Sequence, residues 1–137
     1  MNIAIIAHDK KKELMIQFCT AYESVFKNHT LCGTATTAKL VCEATGLSVH
    51  PFLSGAQGGV QQIGARIAYN EIDMILFFSD PLSKFPHEPD VFSLLKLCDS
   101  HNIPIATNIA TAEALVLALG RGEMDWREFA KSDSVII

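Results

Sequence analysis

The stretch MNIAIIAHDKKK at residues 1–12 decides the fold class. Its apolar run, Ile3 to Ala7, is too short to cross a membrane or to form the apolar region of a secretory signal, and the lysines follow it rather than precede it. An apolar run that stops abruptly at polar residues is typical of a strand buried on both faces of a parallel sheet. We therefore expect a buried strand that ends at His8.

Four further apolar runs repeat this pattern along the chain: Thr30 to Gly33, Leu47 to Leu53, Met74 to Phe78 and Ile103 to Ala106. The segments between the runs have helical periodicity, most clearly where Leu14, Phe18 and Val25 fall on one face of an amphipathic helix. Strands that alternate with helices indicate βαβ units. The sequence therefore predicts an α/β fold, a three-layer doubly wound domain with a five-stranded, mainly parallel sheet.

Length and composition limit the class of protein. The 137 residues fit a single domain covering residues 1–137, and the 49% hydrophobic and 19% charged residues argue against disorder. No apolar run is long enough to span a membrane, and the net charge of −4 without a basic stripe gives no footprint for nucleic acid. We expect a soluble cytoplasmic protein that binds neither nucleic acid nor membranes.

The four cysteines and five histidines give no metal-ligand spacing. Cys19, Cys32, Cys42 and Cys98 form no C-x-x-C pair, so we interpret them as reduced, buried thiols. The three that fall inside apolar patterns behave as small hydrophobic residues. We expect no metal site.

Two features near the end of the chain remain open. A late helix carries apolar residues on one side, such as Ala112 and Val116, and also on the other, such as Ala114 and Leu117. Burial of both sides in so small a domain indicates either a subunit interface or a deep core position. The final apolar run, Val135 to Ile137, is a candidate edge strand.

Polar or small residues follow each predicted strand, at the edge of the sheet where ligands bind in doubly wound folds. After the second strand, Thr34, Ala35, Thr36 and Thr37 open a helix, which suits either a simple threonine cap or a cradle for phosphate at the helix N-terminus. Ser54 and Gly55 repeat this arrangement after the third strand. Lys12 lies one helical turn after His8, where an ammonium group can reach an anion.

The loop after the fourth strand, residues 80–90, is the most unusual stretch. It combines Asp80, His87, Glu88 and Asp90 with prolines at positions 81, 86 and 89, which stiffen the backbone. A stiff loop suits acid and base groups that must be held in fixed geometry. Proline and aspartate at 89 and 90 are also typical of a helix start, and the two interpretations are compatible.

Several motifs together resemble the methylglyoxal synthase family. They are, in chain order, IIAHD at 5–9, TATT at 34–37, SG at 54–55, GGVQQIG at 58–64, DPL at 80–82, PHEPD at 86–90 and IPIATN at 103–108. The resemblance implies an enzyme, a carbon–oxygen lyase that converts dihydroxyacetone phosphate to methylglyoxal and inorganic phosphate through an enediolate, without a cofactor. It also implies a homo-oligomer, with a hexamer favoured, that is inhibited by phosphate.

The resemblance assigns roles to individual residues. It implies substrate or phosphate contacts from His8, Lys12, Thr34, Ala35, Thr36, Thr37, Ser54, Gly55 and His87. It places Asp80, Asp90, His87 and His8 in the catalytic set, with carboxylates that take the proton next to the ketone and histidines that stabilise the enediolate oxygens.

Two positions depart from the family pattern. Val60 occupies the position of the family's proton-transferring aspartate, and Ala35 replaces a glycine of the phosphate loop. Because valine accepts no proton, we expect a methylglyoxal synthase impaired by Val60, in which Asp80 or Asp90 takes over part of the proton transfer. The alternatives are a catalytically inactive sensor of phosphorylated metabolites with the same fold and a structural subunit that pairs with an active homologue.

Overall fold

The computed structural model describes residues 1–86 and 88–128. It contains five strands, β1 (Asn2–Ala7), β2 (Thr30–Gly33), β3 (Val49–Pro51), β4 (Met74–Phe78) and β5 (Ile105–Ala106). The helices are α1 (Lys12–Ala21), α2 (Glu23–Phe26), α3 (Ala35–Thr45), α4 (Gly59–Ala68), α5 (Phe92–His101) and α6 (Ile109–Gly120). Short 3₁₀ turns at Asp9–Lys11 and Gly55–Gln57 precede α1 and α4.

The strands form one parallel sheet in the order β3-β2-β1-β4-β5. The chain moves outward from β1 to β3 and then returns to the other side of β1, so strand order reverses between β1 and β4. Such a switch point opens a crevice at the carboxyl ends of the two central strands. The predicted doubly wound α/β fold is confirmed.

Alternate residues of each central strand face two separate hydrophobic cores, as the period of two in a strand requires. Ile3 and Ile5 pack with Phe18 of α1 and Val116 of α6 on one face. Ala4 and Ile6 face the other core, which includes Ile63 of α4 and Leu94 of α5. Both faces of β1 and β4 are therefore covered, which explains why these strands read as uninterrupted apolar runs.

Two expectations about strand bounds change, and a third expectation is not tested. The third strand is limited to Val49–Pro51 rather than Leu47 to Leu53, and the fifth to Ile105–Ala106 rather than Ile103 to Ala106. Both lie at edges of the sheet, where one side lacks a partner strand among the described residues. The candidate strand Val135 to Ile137 lies outside the described residues.

Among the residues that the structure describes, only one of the two apolar sides of α6 packs in a hydrophobic core. Ala112, Val116 and Leu119 are buried, whereas Ala114 is exposed and Leu117 is 39% exposed. A deep core position therefore does not explain the second side, and the subunit interface stays a prediction.

Candidate functional site

A small cavity lies at the carboxyl ends of β1, β2 and β3. Its volume is about 130 Å³, and its lining comprises Ala7, Asp9, Lys12, Thr34, Thr36, Ser54, Gly55, Ala56, Glu88 and Pro89. We call it the first cavity. Five of the residues predicted from sequence to bind substrate or phosphate meet here, although they come from three separate segments: Lys12, Thr34, Thr36, Ser54 and Gly55.

Lys12 supplies the positive charge of the first cavity. Its Nζ atom donates to the Ala7 carbonyl at the end of β1 (2.8 Å) and to Asp9 Oδ1 (3.0 Å). These contacts hold the half-buried ammonium group over the sheet edge rather than letting it extend into solvent. A fixed ammonium group near hydroxyls is suited to a phosphate group.

The N-terminus of α3 provides the hydroxyls. Thr34 is the N-cap residue, yet its side chain makes no capping hydrogen bond to the helix, and its Oγ1 instead lies 3.4 Å from Thr37 Oγ1. Thr37 is buried, and it does not line the first cavity as described. Because the Thr34 hydroxyl does not cap the helix, the geometry favours an anion cradle at the positive end of α3 over a simple threonine cap.

Hydrogen bonds and close packing hold the loops after β2 and β3 together beside this cradle. The Ala35 amide donates to the Leu53 carbonyl (3.3 Å), and Gln62 Oε1 accepts from the Leu53 amide (2.7 Å). Gly59 approaches the same loop so closely that an added Cβ would lie 1.9 Å from the Leu53 oxygen. Gly59 and Gln62 of the GGVQQIG motif thus hold the loop that carries Ser54 at the cavity wall.

A second cavity of about 400 Å³ lies beside the first, under the loop after β4. Its lining includes His8, Asp80 and Asp90, three of the residues predicted to be catalytic, and it shares Glu88 and Pro89 with the first cavity. The two cavities therefore adjoin each other and together form the candidate site at the switch point between β1 and β4.

The structure gives His8 a different environment from the one expected of a substrate donor. The ring is 6% exposed, its Nδ1 accepts from the Asp80 amide (2.8 Å), and its Nε2 donates to the Pro89 carbonyl (2.7 Å). This pair of partners selects the neutral tautomer that carries its proton on Nε2. These two hydrogen bonds connect His8 to the start and to the end of the loop after β4, so His8 positions this loop. Its contact with substrate stays a prediction.

Asp80 and Asp90 have similar local roles. Asp80 Oδ1 accepts from the Leu82 amide (3.0 Å), and Asp90 Oδ1 accepts from the Phe92 amide (2.9 Å), so each carboxylate stabilises the turn that follows it. Both border the second cavity and neither borders the first. Their predicted part in proton transfer stays a prediction.

Glu88 is the site residue that sequence reasoning did not select. Its side chain is 4% exposed, Oε2 accepts from the Asp9 amide (2.8 Å), and Oε1 accepts from the Ser83 hydroxyl (2.6 Å). Oε2 also lies 4.0 Å from His8 Nδ1. The only signal in the sequence was its place between two prolines of the stiff loop, which gave no reason to prefer it to its acidic neighbours.

Val60 lies at the start of α4 and is 5% exposed. It packs with Ala4, Ile6 and Ile63 in the second hydrophobic core and lines neither cavity as described. The side chain therefore serves as core in this structure. His87, predicted to bind substrate and to act in catalysis, lies outside the described residues.

Possible metal ligands do not cluster in the described part of the chain, and Cys19 and Cys98 lie in the hydrophobic cores rather than at the candidate site. Among residues 1–86 and 88–128, no group of three or more histidine, cysteine or acidic side chains is arranged to hold a metal ion. Burial raises the pKa of Cys19 to about 12 and that of Cys98 to about 11, so these thiols are protonated at neutral pH. No helix in the described part of the chain is long and apolar enough to cross a membrane.

Comparison with known proteins identifies the same family as the motifs. The model of the MGS-like domain matches residues 14–107. A methylglyoxal synthase of Caldicellulosiruptor saccharolyticus is 65% identical over 93% of this chain and 91% of its own length. One from Listeria monocytogenes serotype 4a is 54% identical over 97% of this chain and 99% of its own length.

A solved structure agrees with the fold. The crystal structure of methylglyoxal synthase from Elizabethkingia anophelis has a TM-score of 0.81 and 38% sequence identity, covering 84% of this chain and 76% of that one. Identity of this extent, over a domain that has the predicted parallel α/β fold, establishes common ancestry. The chain belongs to the methylglyoxal synthase family.

Proposed function

We propose that this protein converts dihydroxyacetone phosphate to methylglyoxal and inorganic phosphate. The observation that carries the proposal is the first cavity, in which Lys12 and the hydroxyls of Thr34, Thr36 and Ser54 surround a space suited to a phosphate group. The adjoining second cavity has room for the three-carbon part of the substrate. The names of the relatives support a lyase rather than an inactive sensor, which no comparison favours.

The chemistry begins with removal of a proton from the hydroxymethyl carbon, next to the ketone. The electron pair forms a carbon–carbon double bond, and the negative charge develops on the ketone oxygen, giving an enediolate. As the aldehyde forms, the remaining hydroxyl proton passes to the departing phosphate, which leaves with the electrons of its C–O bond. The enolate that remains takes up a proton at its methylene carbon to become methylglyoxal. No electron donor or acceptor is needed.

The phosphate cradle would control the second step. Expulsion requires that the breaking C–O bond stand out of the enediolate plane, so that it overlaps the π system. The Lys12 ammonium group, held by the Ala7 carbonyl, and the hydroxyls at the N-terminus of α3 are on rigid elements that can fix this angle. They can also stabilise the charge that develops on the leaving phosphate.

The direct test is to incubate the protein with dihydroxyacetone phosphate and to measure methylglyoxal and inorganic phosphate. We expect the two products in equal amounts. Binding of phosphate without any product would favour the sensor, and failure of both would reject the proposal. A parallel assay of Val60→Asp measures how far the apolar residue limits the rate, because a faster variant would show that the native protein is impaired at proton transfer.

We also propose that the protein forms a homo-oligomer through the exposed apolar side of α6. Ile109 is 38% exposed and Leu117 is 39% exposed in the single chain, and Ala110 and Ala114 are also exposed. The hexamer that the resemblance favours, phosphate inhibition and a cytoplasmic location stay predictions. Light scattering of the protein and of Leu117→Lys checks the interface, since a charge at its centre should lower the oligomeric mass.

A further inference from the structure

Proton removal from the hydroxymethyl carbon requires a base beside both the phosphate group and the carbon skeleton. Val60 is apolar and packs in the second core, so it cannot act as that base. Four described carboxylates border the candidate site: Asp9, Asp80, Glu88 and Asp90. Their positions differ enough to rank them.

Asp80 and Asp90 border only the second cavity, away from the lysine and hydroxyls that would hold the phosphate. Asp9 borders the first cavity, but its side chain is 59% exposed and its Oδ1 is paired with Lys12 Nζ at 3.0 Å. A carboxylate that extends toward water and is paired with the phosphate-binding lysine is poorly placed to reach a carbon atom. These three are therefore weaker candidates.

Glu88 differs from these three carboxylates in its position and in the hydrogen bonds that orient it. It is the one acidic residue that lines both cavities as described, so it lies between the predicted sites of the phosphate and of the reacting carbon. Its side chain is 4% exposed and is oriented by the Asp9 amide and the Ser83 hydroxyl. Each carboxylate oxygen has a second lone pair, so these two hydrogen bonds leave capacity to accept a proton.

We propose that Glu88 is the base that takes the proton from the hydroxymethyl carbon, an inference that rests on the proposed function. The carboxylate accepts the proton, the C–H electron pair forms the enediolate double bond, and the protonated Glu88 returns a proton to the methylene carbon after phosphate has left. The neutral His8, 4.0 Å from Glu88, holds the loop in place through the Asp80 amide and the Pro89 carbonyl.

Glu88→Gln removes the base and keeps the shape. The amide oxygen can still accept from the Asp9 amide, and its NH₂ group can donate to Ser83. We expect kcat to fall by a factor of about 10² to 10⁴, with the affinity for inorganic phosphate within threefold of the parent. The matched control, Ser83→Ala, removes the hydrogen bond at Oε1 but keeps the carboxylate, so its kcat should stay within tenfold.

The outcomes separate this inference from the proposed function. A parent protein that makes no methylglyoxal rejects the function, whereas an active parent whose kcat falls less than tenfold in Glu88→Gln rejects only the role of Glu88. Equal losses in Glu88→Gln and Ser83→Ala would also overturn it, because the residue would then only support the loop. If Glu88→Gln does not fold, Glu88→Asp is the deciding variant. Its carboxylate is withdrawn by one methylene group, so kcat should fall without weaker phosphate binding. An unchanged kcat would overturn the proposal.

Discussion

Charged side chains have different surroundings at the two ends of the parallel sheet. At the amino end, Asp73 is 1% exposed, and its Oδ1 lies 3.6 Å from Nε of Arg127 while its Oδ2 accepts from the Asn2 amide at 2.7 Å. Arg127 also donates to the Asn102 carbonyl at 2.6 Å. At the carboxyl end, Lys12 and Glu88 line cavities that are open to a ligand.

The difference shows where the chain uses charge for stability and where it uses charge for binding. The Asp73–Arg127 pair is buried between the starts of β1, β4 and β5 and lines neither cavity of the candidate site. Lys12 pairs with Asp9, and Glu88 accepts from the Asp9 amide, yet both side chains also line the first cavity. Changes at the amino end should therefore alter stability, and changes at the carboxyl end should alter binding and turnover.

The largest effect is expected from Asp73→Ala, which leaves the buried Arg127 guanidinium without its counter-charge. We expect the free energy of unfolding to fall by about 3–5 kcal/mol in urea titrations, with kcat/KM of the folded protein within twofold of the parent. The control is Glu71→Ala, which breaks an Arg66 pair whose side chains are about half exposed and should cost less than about 1 kcal/mol. Equal losses of unfolding free energy in the two variants would contradict the assignment of the Asp73–Arg127 pair to stability.

Lys12→Met should produce the largest effect on binding. The loss of one charge-assisted contact predicts a fall in phosphate affinity and in kcat/KM of about ten- to a hundredfold, measured by calorimetry and steady-state assays. Thermal stability should hardly change, because the methionine keeps the apolar stem. Lys10→Met, on the exposed side of the same turn, is the control. An unchanged phosphate affinity in Lys12→Met would show that the first cavity is not the phosphate site.

Gly59→Ala tests whether packing at the carboxyl end positions Ser54. Because the new Cβ would meet the Leu53 oxygen at 1.9 Å, the start of α4 must shift, and we expect a loss of about 1–3 kcal/mol together with weaker phosphate binding. In the control, Gly64→Ala, the Cβ meets the flexible end of Leu97 at 3.1 Å and should cost less. A loss of stability with unchanged phosphate affinity would show that this packing does not position Ser54 for phosphate binding.

The smallest effect is expected from Ser54→Ala. The Ser54 hydroxyl does not cap the 3₁₀ turn that follows it, so unfolding should be unchanged within about 0.5 kcal/mol. Loss of one neutral hydrogen bond should weaken phosphate binding by about three- to tenfold. Ser48→Ala, at an exposed position before β3, should leave both quantities unchanged. A stability loss in Ser54→Ala without a binding effect would assign the hydroxyl to the fold.

The predictability of the site from sequence depends on how local each signal is. The threonines after β2, the Ser54–Gly55 pair and Lys12 could be predicted because each follows the end of a recognisable strand, and ends of parallel strands converge. Glu88 and the hydrogen bonds of His8 could not be predicted in this way. They depend on how an eleven-residue loop folds back over β1, and three prolines restrict that path without specifying it.

By itself, the sequence determined the parallel sheet, its two-sided burial and the edge at which the polar side chains gather, because strand periodicity and strand ends are properties of short segments. Tertiary structure alone decided which polar groups are closed into the fold and which face a cavity. Asp73 directly precedes β4 and Glu88 lies in the loop that follows it, so the sequence alone places them at opposite ends of the sheet. It does not identify their partners, because both partners are distant in sequence and meet them only in the folded chain: Asp73 pairs with Arg127, and Glu88 accepts from the amide of Asp9 at the switch point.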